Sequence, residues 1–119
     1  MQCTVRSPDQ VYLDSDATLV VAQSARGEFA LMDGHAPLLA QLADGPFRVE
    51  TPEGTQVFAC FGATLHVEDD AVSVLVEDAV PAHDIDAKAV AEQLRQVKDT
   101  TSPEYRRLTV LAKVGERRA

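Results

Sequence analysis

The segment G-E-F-A-L-M-D-G-H-A-P-L-L, residues 27–39, decides the fold of this 119-residue chain. Phe29 and Leu31 alternate with other side chains as on a short strand, and Asp33-Gly34 follows as a strong turn signal. Glycine reaches positive φ without a Cβ clash, and aspartate hydrogen-bonds to a turning backbone. Pro37 then has a fixed φ and keeps the preceding residue extended. These features predict a hairpin-like corner of an all-β domain.

A period of two residues continues through about the first 81 residues, in short segments rich in Val, Leu and Phe. Leu65 and Val67, for example, share the face opposite His66. Many short strands separated by turn formers indicate a β-sandwich or a barrel. The predicted strands are Cys3–Arg6, Val11–Leu13, Ala17–Ser24, Glu28–Met32, Leu38–Leu42, Phe47–Thr51, Gln56–Phe61, Thr64–Glu68, Val72–Glu77 and a short last one at Ala79–Pro81.

A helical period replaces the strand period after residue 81. Val90, Leu94 and Val97 follow at i, i+4 and i+7, and either Asp84 or Asp86 is placed to cap the helix that they predict.

A second short helix is predicted after the break at residues 99–103. Thr101, followed by Glu104 three residues later, has the pattern of a capping box, and Tyr105, Leu108 and either Leu111 or Ala112 line one apolar face. Two helices this short are not stable alone, so we expect them to lie on another part of the chain. We therefore predict a β-sandwich domain at residues 1–82 and a helical hairpin at residues 83–119.

The charge of the chain is divided unevenly along its length. Residues 1–94 contain 16 acidic and 4 basic side chains, while residues 95–119 contain 3 acidic and 7 basic ones, for a net charge of −8. An acidic body argues against nucleic-acid binding by the main domain. The basic tail suits an acidic partner, which is either the body of this chain or another protein; a solvated helix face explains it equally well.

The composition, 45% apolar and 25% charged, is that of a domain with a real core, and no apolar run approaches the length of a membrane span. We expect a cytosolic protein, unless partners hold it at a membrane. Cys3 and Cys60 lie far apart, and Cys60 is expected to pack as a small apolar residue. The three histidines are not spaced as metal ligands, and no phosphate-loop or nucleophile motif occurs. We predict neither a metal nor an enzymatic activity.

Several of these segments together resemble the epsilon subunit of bacterial F-type ATP synthases. The opening segment is similar to the family's G-E-F-G-V-L-P-G-H-A-P-L-V. Residues 58–67, F-A-C-F-G-A-T-L-H-V, resemble F-x-V-S-G-G-F-L-E-V, with Phe61 and Ala63 in place of Ser and Gly. Residues 72–77, V-S-V-L-V-E, resemble V-T-V-L-A-D, and Asp84-Ile85-Asp86 resembles the D-[IL]-D that opens the C-terminal helices. The resemblance extends in order over about residues 1–98.

The resemblance implies a flattened sandwich of about ten strands, followed by two helices. It implies a non-catalytic rotor subunit of a proton- or sodium-translocating ATP synthase, which lies peripherally at the cytoplasmic face of the bacterial plasma membrane. Its expected partners are the gamma subunit, bound by apolar residues left on a sandwich face, and the ring of c subunits. The alternative is a free-standing acidic β-sandwich that binds a ligand or acts as an adaptor.

The resemblance also implies site residues. A corner containing Gly27, Glu28, Gly34 and His35 would face the c ring, with Glu28 making a polar contact and His35 supporting the corner. Basic residues of the last helix would meet an acidic segment of the catalytic beta subunits and inhibit ATP hydrolysis; these are Arg106, Arg107 and Lys113. Family members that bind ATP contain I-D-x-x-R-A. Here Lys88 places the base one residue early, about 100° away on a helix, so we predict no bound ATP or other cofactor.

Overall fold

Ten β-strands and two C-terminal helices make up the computed structural model, which describes residues 1–117 and the side chains of residues 1–115. Arg118 and Ala119, the end of the predicted helical hairpin, lie outside the described residues. The strands are β1 (Gln2–Arg6), β2 (Val11–Asp16), β3 (Leu19–Ser24), β4 (Gly27–Leu31), β5 (Leu38–Gln41), β6 (Gly45–Thr51), β7 (Gly54–Phe61), β8 (Thr64–Glu68), β9 (Ala71–Leu75) and β10 (Asp78–Pro81). The helices are α1 (Ala87–Gln96) and α2 (Pro103–Arg117), and a 3₁₀ turn at Ala82–Asp84 precedes them.

The strands form two five-stranded sheets, so the chain is a sandwich and not a closed barrel. Sheet A has the order β2-β1-β9-β8-β5, and sheet B has the order β10-β7-β6-β3-β4. Only the pair β1 and β9 is parallel among the strand pairs of the described residues. The predicted fold class, mainly β with a small helical part, is confirmed.

The core between the sheets is built by alternating side chains, as the two-residue period predicts. Leu65 and Val67 on β8 are buried, and His66 between them is exposed. Phe47 on β6 and Phe58 on β7 fill the same core from sheet B. Successive side chains of a strand point to opposite faces of the sheet. Because only the inner face is shielded from water here, apolar residues recur at every second position.

The corner at residues 32–37 differs from the hairpin-like one predicted from the sequence. β4 lies at the edge of sheet B and β5 at the edge of sheet A, so the two strands do not pair and the corner carries the chain from one sheet to the other. The turn itself is confirmed. The N–H of His35 donates to the Met32 carbonyl at 3.2 Å, and Gly34 has φ +82°, as the third residue of a type II turn requires.

A similar change of sheet ends β9 earlier than predicted. After Leu75 the N–H of Val76 donates to the Arg6 carbonyl of sheet A, and the next N–H, that of Glu77, donates to the Phe61 carbonyl of sheet B. The chain then continues as β10 in sheet B. An apolar stretch such as residues 72–76 does not reveal this crossing, because its local pattern is that of one strand.

The helix starts are set by side-chain caps. Asp86, one of the two candidates, caps α1 by accepting from the N–H groups of Lys88 and Ala89, both at 3.1 Å. The predicted capping box of Thr101 with Glu104 is wrong by one residue. Ser102 caps α2, and its Oγ accepts from the N–H of Tyr105 at 3.1 Å. Pro103 then takes the first helical position, where its missing N–H costs no hydrogen bond.

A second apolar core joins the helices to the outer face of sheet B. Phe61 from β7, Ile85, Val90 of α1, and Leu108 and Val114 of α2 are buried together there. β7 is therefore covered on both sides, and its residues 58–61 are all buried. The expectation that the two helices lie on another part of the chain is confirmed.

Candidate interaction surfaces

The outer surface of sheet A, which we call the open face, presents side chains that no neighbouring layer buries. Strand pairing places Leu39 beside His66 and Leu75 beside Thr64. Leu39 is 73% exposed and Leu75 is 52% exposed. These two exposed aliphatic side chains make the open face the candidate surface for contact with a partner.

A groove of about 650 Å³ runs across the open face between the two leucines. Arg6 and Thr4 of β1 line one side of it, so the groove mixes apolar and polar groups. His66 Nε2 lies 3.4 Å from Glu68 Oε2, and both side chains are exposed. The arrangement suits contact with a protein surface, which offers both apolar side chains and hydrogen-bonding groups.

The outer face of sheet B is partly covered by α2, and a smaller groove of about 350 Å³ remains beside the covered part. Its walls include Val21, Pro46 and Val57, together with Glu28 and Arg48. The Gln23 side chain lies close to Gly45, next to this groove. A residue with a Cβ at position 45 would bring that atom to 3.2 Å from Gln23 Oε1. The two sheets thus differ, because one outer face is open and the other supports the helices.

Gly27 and Glu28 begin β4 at the β3–β4 hairpin. Ser24 Oγ accepts from the N–H of Arg26 at 3.2 Å and donates to the Gly27 carbonyl at 3.1 Å, which closes the turn. Gly27 has φ +127°, a conformation that side chains with a Cβ rarely adopt. Glu28 is exposed and opposes Gln23 on the outer side of the edge strand.

Gly34 and His35 lie beyond the opposite end of β4, so the four residues predicted as one corner do not come together. The Gly34 N–H donates to Asp70 Oδ1 at 3.0 Å. His35 is exposed, and its Nδ1 lies 2.7 Å from the carbonyl of its own neighbour Ala36. His35 therefore does not support the Gly27–Glu28 turn, which is the length of β4 away.

Three basic residues of α2 were predicted to act together. Arg106 and Lys113 are seven residues apart and so share one side of the helix, where both are exposed. Arg106 also donates to the Thr101 carbonyl at 3.1 Å. Arg107 is turned by about 100° from them. It points to sheet B and donates to Asp78 Oδ2 at 2.6 Å.

The contacts that Asp78 and Phe61 make with α2 were not predicted from the sequence. A signal for it exists in Val57-Phe58-Ala59-Cys60-Phe61, an apolar run without alternation. Such a run is typical of a strand covered on both faces, and it places another layer over β7. The partner of Arg107 could not be found this way, because Asp78 is 29 residues distant in sequence.

Among the described side chains, no three His, Cys, Asp or Glu residues converge as ligands for a metal ion. Neither helix within residues 1–117 is long and apolar enough to cross a membrane. Cys3 and Cys60 are free and buried in the core between the sheets. Burial raises the pKa of each thiol from 9.0 to about 12. The expected packing of Cys60 as a small apolar residue is confirmed.

Residues 1–82 match the family described as the β-sandwich domain of the ATP synthase delta/epsilon chain. The ATP synthase epsilon chain of Chromohalobacter salexigens is 38% identical over 96 residues, which are 80% of this chain and 67% of that protein. The epsilon chain of Xanthomonas campestris pv. campestris is 41% identical over 91 residues, 76% of this chain and 65% of that one. The matched segments thus cover about two thirds of these relatives.

Two solved structures share the fold. A chain of the Euglena gracilis mitochondrial ATP synthase, solved as OSCP/F1/c-ring, superposes with a TM-score of 0.74 at 24% identity, over 96% of this chain and 76% of that one. A chain of the Tetrahymena thermophila mitochondrial ATP synthase central stalk/c-ring superposes with a TM-score of 0.67 at 19% identity, over 97% of this chain and 93% of that one. The sandwich with its helices, the family match and the identity to epsilon chains agree, and this chain therefore belongs to the delta/epsilon family of ATP synthase subunits.

Proposed function

We propose that this chain is a central-stalk subunit of an F-type ATP synthase that binds the gamma subunit through its open face. The observation that carries this proposal is the exposure of Leu39 and Leu75 on sheet A, while the helices cover much of the outer face of sheet B. A partner that removes such side chains from water gains about 1.5–3 kcal/mol for each one fully buried.

The edge formed by β4 is the proposed contact with the ring of c subunits. Glu28 is exposed at the start of this strand, and the Met32–His35 turn extends the same edge at the other end. A subunit that grips gamma with one face and the ring with one edge would couple the two parts of the rotor. In this position it would lie at the cytoplasmic face of the bacterial plasma membrane, held there by its partners.

The helices are proposed to regulate the complex. In this division of the chain, residues 1–82 bind the rotor, and residues 83–119 form the regulatory hairpin. Arg106 and Lys113 are exposed on one side of α2 and would meet an acidic segment of the beta subunits when the hairpin leaves sheet B. Exposed ion pairs contribute about 0–1 kcal/mol each, so several would have to act together.

Co-purification tests the gamma contact. A tagged chain expressed with gamma and the c subunits should retain gamma, and Leu39→Glu with Leu75→Glu should lose it while the isolated chain keeps its stability. Met32→Glu is the matched control for gamma retention alone, because Met32 is 62% exposed and lies outside the open face, on the edge proposed for the c ring; this variant should still retain gamma. Retention of gamma by the double variant would reject the open face as its binding surface.

A further inference from the structure

Arg107 is held against sheet B by two different contacts. Its Nη2 donates to Asp78 Oδ2 at 2.6 Å, and the guanidinium lies over the Phe61 ring, 4.3 Å from the ring centroid. Both charged side chains are close to half exposed. The pairing therefore combines an ion pair at the protein surface with a cation–π contact over a buried ring.

The sheet itself places the two partners of Arg107 side by side. Phe61 ends β7 and Asp78 begins β10, and the two residues are directly paired across these antiparallel strands. Their side chains therefore stand together on the outer face of sheet B. A rigid strand pair thus presents an aromatic ring and a carboxylate at one point, which is the geometry that a planar guanidinium fits.

The remaining contacts between α2 and the sheet are mainly apolar. Leu108 and Val114 pack in the second core with Ala59 and Phe61, and such packing has no directional requirement. Among the described side chains of α2, Arg107 alone forms an ion pair with a strand residue. This contact therefore adds a directional, charge-based attachment to the apolar packing beneath the helix, and it must break before the helix leaves the sheet.

We infer that Arg107, Asp78 and Phe61 form a clasp that holds the helical hairpin on sheet B and sets how often the hairpin is released. The regulatory meaning of this clasp rests on the proposed function. There, the Arg107 guanidinium would bind an acidic segment of a beta subunit, and it cannot do so while it binds Asp78. While the clasp is closed, Arg106 and Lys113 are exposed with their charges turned away from the sheet, and the charge of Arg107 is paired with Asp78. Its opening adds a third cation to the surface that a beta subunit would meet.

Hydrogen exchange on the isolated full chain tests the clasp without any partner. Arg107→Gln and Asp78→Asn should each speed exchange of the protected α2 amides about tenfold, while the amides of β1, β8 and β9 are unchanged. Arg106→Gln is the matched control, because it removes the same charge one residue away and should change exchange less than twofold. A charge swap, Asp78→Arg with Arg107→Asp, should restore much of the protection.

Two outcomes would overturn the inference. One is that Arg107→Gln behaves like Arg106→Gln, and the other is that exchange rises equally in sheet A, which would indicate general destabilisation. ATP hydrolysis by the assembled complex then separates the clasp from the regulatory proposal. Asp78→Asn frees Arg107 without removing it, so hydrolysis should fall if the released helices inhibit. Faster exchange with unchanged hydrolysis would support the clasp and reject inhibition by the helices.

Discussion

Asp70 Oδ1 accepts a hydrogen bond from the N–H of Gly34 at 3.0 Å, although the two residues are 36 positions apart in sequence. Asp70 belongs to the tight turn between β8 and β9 and has φ +63°, and Gly34 belongs to the corner between the sheets. The bond therefore ties the corner to sheet A. A backbone N–H held in this way keeps the Met32–His35 turn in one conformation.

Asp70→Ala should lower the free energy of unfolding by about 1–2 kcal/mol. The variant loses the hydrogen bond to Gly34, worth about 1 kcal/mol, and places alanine at a positive φ that aspartate tolerates better. Asp70→Asn keeps an acceptor oxygen, and asparagine also adopts a positive φ readily. Its free energy of unfolding should therefore fall by less than half as much. Urea unfolding of the three proteins measures this, and equal losses for both variants would show that the charge of Asp70, and not its geometry, matters.

Asp86→Ala should destabilise α1 by about 1 kcal/mol, because two N–H groups at the start of the helix lose their acceptor. Asp84→Ala is the control. It removes the same charge two residues earlier, from a side chain that pairs with exposed His83. Amide exchange in α1 should rise severalfold in the first variant and little in the second. A similar rise in both would mean that general charge near the helix, and not the cap, stabilises α1.

Stability should fall as the pH rises above about 9. Below that value the thiols of Cys3 and Cys60 are protonated in both the folded and the unfolded chain, so their contribution to the free energy of unfolding is fully present. Burial raises both pKa values to about 12, so above pH 9 the unfolded chain releases protons that the folded chain retains. Unfolding then becomes easier, by up to about 1.4 kcal/mol per pH unit for each thiol.

Urea unfolding at pH 8 and pH 10 measures this effect. Cys3→Ala should be less stable than the wild type at both pH values, because it leaves a small cavity, but it should lose less stability between them. An equal loss in the two proteins would assign the pH dependence to other groups.

Glu28→Gln should weaken retention of the c ring in the assembled complex up to about fivefold and leave gamma binding unchanged. The expected fold-change follows from the free energy of an exposed charge contact, about 0–1 kcal/mol. The difference in ring retention between the variant and the wild type should shrink at high salt, which screens such contacts. Glu53→Gln is the control, since Glu53 is exposed in the β6–β7 turn, which lies outside the β4 edge. Equal retention of the ring by all three proteins would remove Glu28 from the contact.

Membership in the ATP synthase family confirms the prediction of a non-catalytic subunit and favours it over a free-standing adaptor. The resemblance was visible because turn residues such as Gly27 and Gly34 are required by the backbone, so they stand out in sequence. The site residues are a different matter. The roles proposed for Glu28 and for the basic residues of α2 stay predictions.

Local chemistry determined much of this chain. The period of two residues, the turn at Gly34 and the cap of α1 depend on neighbours within a few positions, so the sequence predicted the first two and narrowed the cap to Asp84 or Asp86, of which the structure shows Asp86. Helix caps are also where small errors arose. Ser102 took the place predicted for Thr101. The Thr101 hydroxyl donates to Asp99 Oδ1 at 2.6 Å instead, and Pro103 favours the helix start that follows Ser102.

Tertiary structure alone decided which surfaces the chain exposes. Residues 32–37 join different sheets, Gly27 and His35 lie at opposite ends of one strand, and Arg107 meets Asp78 beneath a helix. Each of these relationships depends on which strands pair and which face a helix covers. Pairing is set by the sum of many weak apolar contacts between distant segments, and no single segment of the sequence contains that sum.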